Sequence, residues 1–183
     1  AFKQGLLPFT APASSSLTEV RGYEKRVARL ASKLAVFADF SLLVLGGKLK
    51  QAELLSARLG DFMSYLYAAM ASIRYYEQKL SASERKEAEP YCHYATKWTL
   101  IQAEKALLDF LDNFPAKGVS RFMRTITMTF GPKMEGIHDD LVRELVAAAQ
   151  MDNAIKARLT HLVKPMPGDG HDINEQAYKA KMA

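Results

Sequence analysis

The chain reads as an all-α protein, a helical bundle of about five to seven helices. Three observations predict this. Alanine, leucine, lysine and glutamate are plentiful, while 183 residues hold only 10 glycines and 7 prolines, a balance that favours long helices. Residues 34–45 are apolar nearly all the way round, broken by Asp39 and Ser41, as a helix in the middle of a core is. Leu55, Leu59, Phe62, Leu66, Ala69, Ile73 and Tyr76 alternate steps of four and three, the spacing of a seam between packed helices. Gly46 and Gly47 lie between the last two stretches, where a chain can leave one helix and turn. The expectation is a buried helix with an amphipathic one folded back on it, a long αα-hairpin over 34–76.

Composition narrows the class. At 49% hydrophobic and 25% charged the chain is of ordinary globular make-up and long enough to bury a core. The net charge of +5 is uneven. Residues 1–60 hold nine Lys/Arg against four Asp/Glu, whereas 61–120 balance at −1 and 121–183 at +1. A basic excess confined to one end suits an anionic partner surface better than nucleic-acid binding by the whole domain. The single cysteine, Cys92, allows no internal disulfide and fits a reducing compartment. No apolar run reaches the roughly 20 residues of a spanning helix, and no apolar leader opens the chain. The lack of an initiator Met suggests a piece of something longer. The expected location is the cytoplasm, with the inner face of the cytoplasmic membrane as a peripheral attachment surface.

The elements follow in order. Residues 1–16 carry Pro8, Pro12 and three serines and read as a linker. A helix begins near Ser16 or Thr18, with Ser16 and Glu19 spaced as a capping box. Along it Arg21, Lys25, Arg29 and Lys33 recur every four residues as a basic stripe. The stripe is either a solvated outer face or a contact for anionic lipid headgroups or an acidic protein face. Asp39, inside the apolar run, needs a partner, and Arg58 across the hairpin is the expected one, with Lys48 as the alternative. The second helix runs from about 51 to 79, and Gly60 within it points to close approach of another backbone.

Residues 81–89 read as a charged connection containing a second capping box, Ser81 and Glu84, with Pro90 in the first turn of a helix over 90–113. That helix carries two apolar stripes. One is Leu100, Ala103, Leu107, Phe110 and Phe114, and the other Tyr91, Tyr94, Trp98, Ile101 and Leu108. Contacts on two sides make it central to the bundle. Cys92 and His93 are neighbours in sequence, but adjacent helical residues diverge by about 100° and do not form a nucleophile–base pair.

Residues 118–130 form a short amphipathic segment. Val119, Phe122, Met123 and Ile126 share one face, opposite Arg121, Arg124 and Thr125. This is the pattern of a helix lying in a membrane interface and equally of a surface helix of the bundle. Asp139 and Asp140 open another helix, as N-terminal acids do. Beside them His138 lacks a second histidine at ligand spacing, so capping is the better reading than a metal. A short helix near 153–161 ends the folded part, expected to be 17–163, before a tail at 164–183 with one small helix at about 173–182. No phosphate-binding glycine loop, CxxC pair or HExxH occurs.

Several motifs together carry a resemblance. Ala38-Asp39, Leu42-Leu43, Leu45 to Gly47, Leu49-Lys50, Ser56 to Asp61, Leu66-Tyr67 and Tyr76-Glu77 resemble the C-terminal helical domain of bacterial-type long-chain acyl-CoA dehydrogenases. So do Trp98, Gln102 to Glu104, Ala106-Leu107, Asn113 to Pro115 and Ala157 to Thr160 ahead of Pro165. The likeness runs in order over roughly Tyr23 to Pro165. It implies a part in an FAD-dependent enzyme that oxidises fatty acyl-CoA to the 2,3-enoyl-CoA in β-oxidation. In that family the flavin and the catalytic glutamate belong to an upstream core, and nothing here matches that core. No catalytic residue is therefore assigned, and FAD is expected in the parent enzyme but not on this segment alone. The implied role is support: packing on the dehydrogenase core, contact in a homo-oligomer, and membrane attachment through 21–33 or 118–130. The rival reading is a stand-alone, non-enzymatic helical interaction or membrane-docking module. A third is a carrier of acyl chains held between helices, which an apolar cavity in the bundle favours.

Overall fold

The computed structural model describes residues 16–129 and 136–160. Six α-helices run through them: α1 (Thr18–Leu45), α2 (Glu53–Gln78), α3 (Ala82–Asn113), α4 (Lys117–Thr129), α5 (Asp139–Gln150) and α6 (Ala154–Thr160). A 3-10 turn, Gly46–Lys50, joins α1 to α2. No strand occurs among the described residues. The fold is an all-α bundle with α3 at its centre, in contact with each of the other five helices.

The core is the meeting of three stripes, one each on α1, α2 and α3; on α1 it is Val20, Val27, Leu30 and Phe37. On α2 it is the predicted seam, with Leu55, Phe62, Leu66, Ala69, Ile73 and Tyr76 all buried. On α3 it is Leu100, Ala103, Leu107 and Phe110, continued by Phe114 just past the helix end. The Phe110 ring lies 6.4 Å from that of Phe37 and 5.6 Å from that of Phe114, so one aromatic knot ties α1 to the end of α3. The second stripe of α3 is only half covered, and Trp98, packed edge-on to Tyr65, remains partly exposed.

The turn between α1 and α2 is where a glycine is required. Gly46 has φ +52° and donates its N–H back to the Leu42 carbonyl, a left-handed closure that a Cβ disfavours. Ser56 then ties α2 to the turn, its hydroxyl donating to the Leu49 carbonyl at 3.2 Å.

Several expectations are corrected. Residues 34–45 are not buried on all sides. The buried positions of α1 are Val20, Glu24, Val27, Leu30, Phe37 and Ser41, a single stripe, and Leu42, Leu43 and Val44 face out. Residues 18–50 are also long and apolar enough to cross a membrane by length and composition, although the most apolar window carries Lys33 and Asp39. The Asp39–Arg58 pair does not form. Asp39 lies on the exposed side of α1 and needs no buried partner, while the Arg58 guanidinium donates to the Leu54 carbonyl on its own helix at 3.1 Å. Ser16 does not cap α1, whose N-cap is Leu17. The Ser16 N–H instead donates to Glu77 at 3.1 Å. A Cβ at Gly60 would meet open space, so no backbone approaches it.

The third helix is longer than expected. The Ser81–Glu84 capping box forms with both of its reciprocal bonds, and it starts the helix at Ala82. Pro90 therefore sits inside α3, where it has no N–H for the Lys86 carbonyl. The cap and the packing of α3 on α2 outweigh that local cost. Asp139 and Asp140 do open α5, and the Asn153 side chain caps α6 by accepting from the Lys156 N–H at 2.8 Å. The expected 1–16 linker (beyond Ser16) and the tail at 164–183 lie outside the described residues, as does the side chain of Ile126.

Candidate functional site

Four large apolar side chains flank the 3-10 turn without being covered. Leu42 is 58% exposed and Leu43 81%, at the end of α1; Val44 follows them, and Leu54, 75% exposed, opens α2. Lys48 and Lys50 stand exposed on the turn itself, with Glu53 just beyond. Farther along α2, Met63 and Tyr67 are also uncovered. Single exposed apolar residues need no explanation, but a group of them around one turn marks a contact surface.

The basic stripe does not stay on one face. Steps of four residues advance about 400°, so each basic residue is displaced by about 40° from the last. Arg21 and Lys25 are exposed, whereas Arg29 and Lys33 are partly buried. Burial lowers the pKa of the Lys33 amine, and the nearby Glu104 carboxylate works against that fall. Glu104 also pairs with Arg26. Lys33 is thus engaged with the bundle.

The α4 residues divide as well. Met123 is buried against the core at 2% exposure, and Ser120 beside it donates to the Leu111 carbonyl. Arg124 pairs with Asp112. Arg121 and Phe122 remain on the outer surface. Of the four predicted interfacial residues of α4, Arg121 and Phe122 are exposed, Met123 is buried, and Arg124 is exposed but paired with Asp112.

A polar cleft of about 450 Å³ lies between α3 and α5, lined by Lys86, Glu89, His93, Lys97, His138 and Glu144, among others. At its edge the Tyr23 hydroxyl and His93 Nδ1 are 2.9 Å apart, and His93 Nε2 is 3.6 Å from the Glu89 carboxylate. Burial pushes the Tyr23 phenol up to about 12, with the neighbouring Cys92 adding to the rise. The phenol therefore keeps its proton at neutral pH. Cys92 does not face His93. Its sulfur sits 4.0 Å from the Thr96 hydroxyl, and burial pushes the thiol up to about 11. A thiol and a phenol held this firmly protonated are not nucleophiles at neutral pH. Among the described residues no group of three His, Cys, Asp or Glu side chains is placed to hold a metal ion. Sequence reasoning missed the Tyr23–His93 bond because its partners are 70 residues apart.

A family model described as acyl-CoA dehydrogenase, C-terminal, bacterial type, matches residues 3–183. The chain belongs to that family. No solved structure matches it. As an acyl-CoA dehydrogenase C-terminal domain it has its place in an oxidoreductase, and the family generally uses FAD. The cleft between α3 and α5 does not suit a flavin dinucleotide. It sets Lys86 and Lys97 against Glu89 and Glu144, so the charges cancel where a diphosphate needs an excess of donors.

Proposed function

We propose that the chain is the support and assembly domain of an FAD-dependent enzyme that oxidises fatty acyl-CoA to 2,3-enoyl-CoA, and that it supplies no catalytic base. The linker–domain–tail division at 16 and 163 belongs to the same reading. The observation that carries it is the uncovered apolar group Leu42, Leu43, Val44 and Leu54 at the turn of the hairpin, a surface suited to a larger neighbour such as the upstream dehydrogenase core. Its test is Leu43→Asp with Leu54→Asp in the parent enzyme. Loss of domain association, read by limited proteolysis and sizing, with helicity of the domain retained, is the expected result. Unchanged association counts against the reading.

A second reading, attachment to an anionic membrane, draws on Arg121 and Phe122 exposed together on α4, with Arg21 and Lys25 on the outer side of α1. Liposome flotation with and without anionic lipid, at low and moderate salt, checks it. Salt-sensitive binding that Arg121→Glu abolishes is expected, and flotation indifferent to that change removes the reading.

A further inference from the structure

A groove of about 340 Å³ runs between the end of α2, the start of α3 and α6. Ala71 on α2 and Ala88 and Ala95 on α3 line its floor with small side chains, and Ile155 and Leu159 of α6 form its third wall. The polar atoms that border it are already engaged. The Ser72 hydroxyl donates to the Ala68 carbonyl at 3.0 Å, and the Cys92 sulfur lies 4.0 Å from the Thr96 hydroxyl. The trough is nevertheless open to solvent. Ala71 is exposed, Tyr75 is 44% exposed and Leu159 54%. Apolar surface left open in this way is stabilised by an apolar segment that covers it.

The chain itself supplies such a segment at the rim. The last helix ends at Thr160, one residue past the Leu159 wall, and the sequence continues from His161 to Ala183. The family model runs on through residue 183, so these residues belong to the domain rather than to an appended linker. Their sequence has two parts. Pro165, Pro167, Gly168 and Gly170 crowd the first, the chemistry of a chain reversal. The second opens with Asp172 and Glu175 at capping-box spacing, ahead of the helix expected at about 173–182. On such a helix Ile173, Ala177 and Ala180 share one face. Ten helical residues extend about 15 Å, and the part of α2 that lines the groove, Ala71 to Leu80, extends about 14 Å.

We infer that the groove is the seat of the chain's own C-terminal segment, 171–183, which turns back after Gly170 and lays Ile173, Ala177 and Ala180 over Ala71, Ala88 and Ala95. Tethering selects this occupant. A segment joined to the rim by about ten residues is present at an effective concentration on the order of millimolar. A second copy or a free apolar ligand matches that only at a comparable bulk concentration. The groove is separate from the uncovered turn between α1 and α2, and the inference does not rest on the reading of that surface.

The test uses the full chain. In a Cys92→Ser background, Ala71→Cys with Ala177→Cys should close a disulfide within one chain on mild oxidation, read by non-reducing electrophoresis and peptide mapping. Leu43→Cys with Ala177→Cys, at the far end of the hairpin, should not. A second measurement leaves the bundle untouched and changes the tail alone. Ile173→Asp should uncover the groove and speed alkylation of the native Cys92 thiol about fivefold or more at constant pH, with the helical signal of the bundle retained. Failure of the Ala71–Ala177 pair to close, or alkylation indifferent to Ile173→Asp, would each overturn the assignment. A disulfide formed only between chains would overturn it as well and give the groove to a second copy.

Discussion

Glu24 on α1 and Arg74 on α2, fifty residues apart, form the ion pair that joins the two arms of the hairpin, with 2.7 Å between carboxylate and guanidinium. The Glu24 side chain is 5% exposed. Arg74 also holds Glu77 at 2.8 Å, and Glu77 in turn accepts the Ser16 N–H. The network closes the start of α1 onto the end of α2. A carboxylate this buried is tolerated only when its partner is in place.

Arg74→Met should therefore destabilise the domain by about 2 kcal/mol, less than a fully buried pair would lose because the arginine is a third exposed. Arg58→Met should change stability by no more than about 0.5 kcal/mol, since Arg58 bonds only within its own helix. Urea unfolding of both variants checks this, and the double change Glu24→Met with Arg74→Met should recover part of the loss.

The aromatic knot is the second point of sensitivity. Phe110 is fully buried between Phe37 and Phe114, and Phe110→Ala should cost about 3–5 kcal/mol. Phe122→Ala, on the outer surface, should stay within about 0.5 kcal/mol. Thermal unfolding followed by circular dichroism distinguishes the two, and similar losses at both positions would contradict the burial assigned here.

Pro90 is a stabilising opportunity. A proline inside a helix costs up to about 3 kcal/mol against alanine, and α3 carries it well past its first turn. Pro90→Ala should raise the unfolding midpoint and add helical signal. A lowered midpoint would mean that the local bend is required by the packing of α3.

The raised Cys92 thiol gives a pH dependence of definite sign. The unfolded thiol titrates near 8.5, the folded one at about 11, so the folded state holds its proton more tightly. The stability this contributes is full below about pH 8.5 and is lost as pH climbs through about 11. Cys92→Ala should flatten the decline of the urea midpoint over that interval. In the unmutated protein, alkylation near pH 8 should be about two orders of magnitude slower than for a free thiol. An equally steep decline in the variant would assign the effect to other groups, Tyr23 first among them.

Part of the candidate surface was legible beforehand and part was not. Phe122 and Arg121 were recognised from spacing and are displayed, but Met123, adjacent to them, turns inward because α4 packs that side on the end of α3. The four-residue spacing of the basic residues of α1 suggests a single stripe. The drift of a four-residue step carries Lys33 to Glu104 instead. A signal for the true inner face was present in the spacing of Val20, Glu24 and Val27, a seam with a carboxylate in it. The more apolar run beyond it, residues 34–45, masks that signal in the sequence.

What the sequence by itself determined is the local order of the fold: helices, the glycine at the hairpin turn, the Ser81–Glu84 cap and the seams of α2 and α3. Each follows from interactions within a few residues or from a periodic burial pattern, and these are written along the chain. The tertiary structure alone decided which partners meet across it: Glu24 with Arg74, Tyr23 with His93, Arg158 with Glu84. It also decided which apolar residues stay uncovered. Residues 42–44 are as apolar as any core helix, and only the position and direction of α2 and α3 leave them facing out, because burial is a property of neighbours and not of the residue.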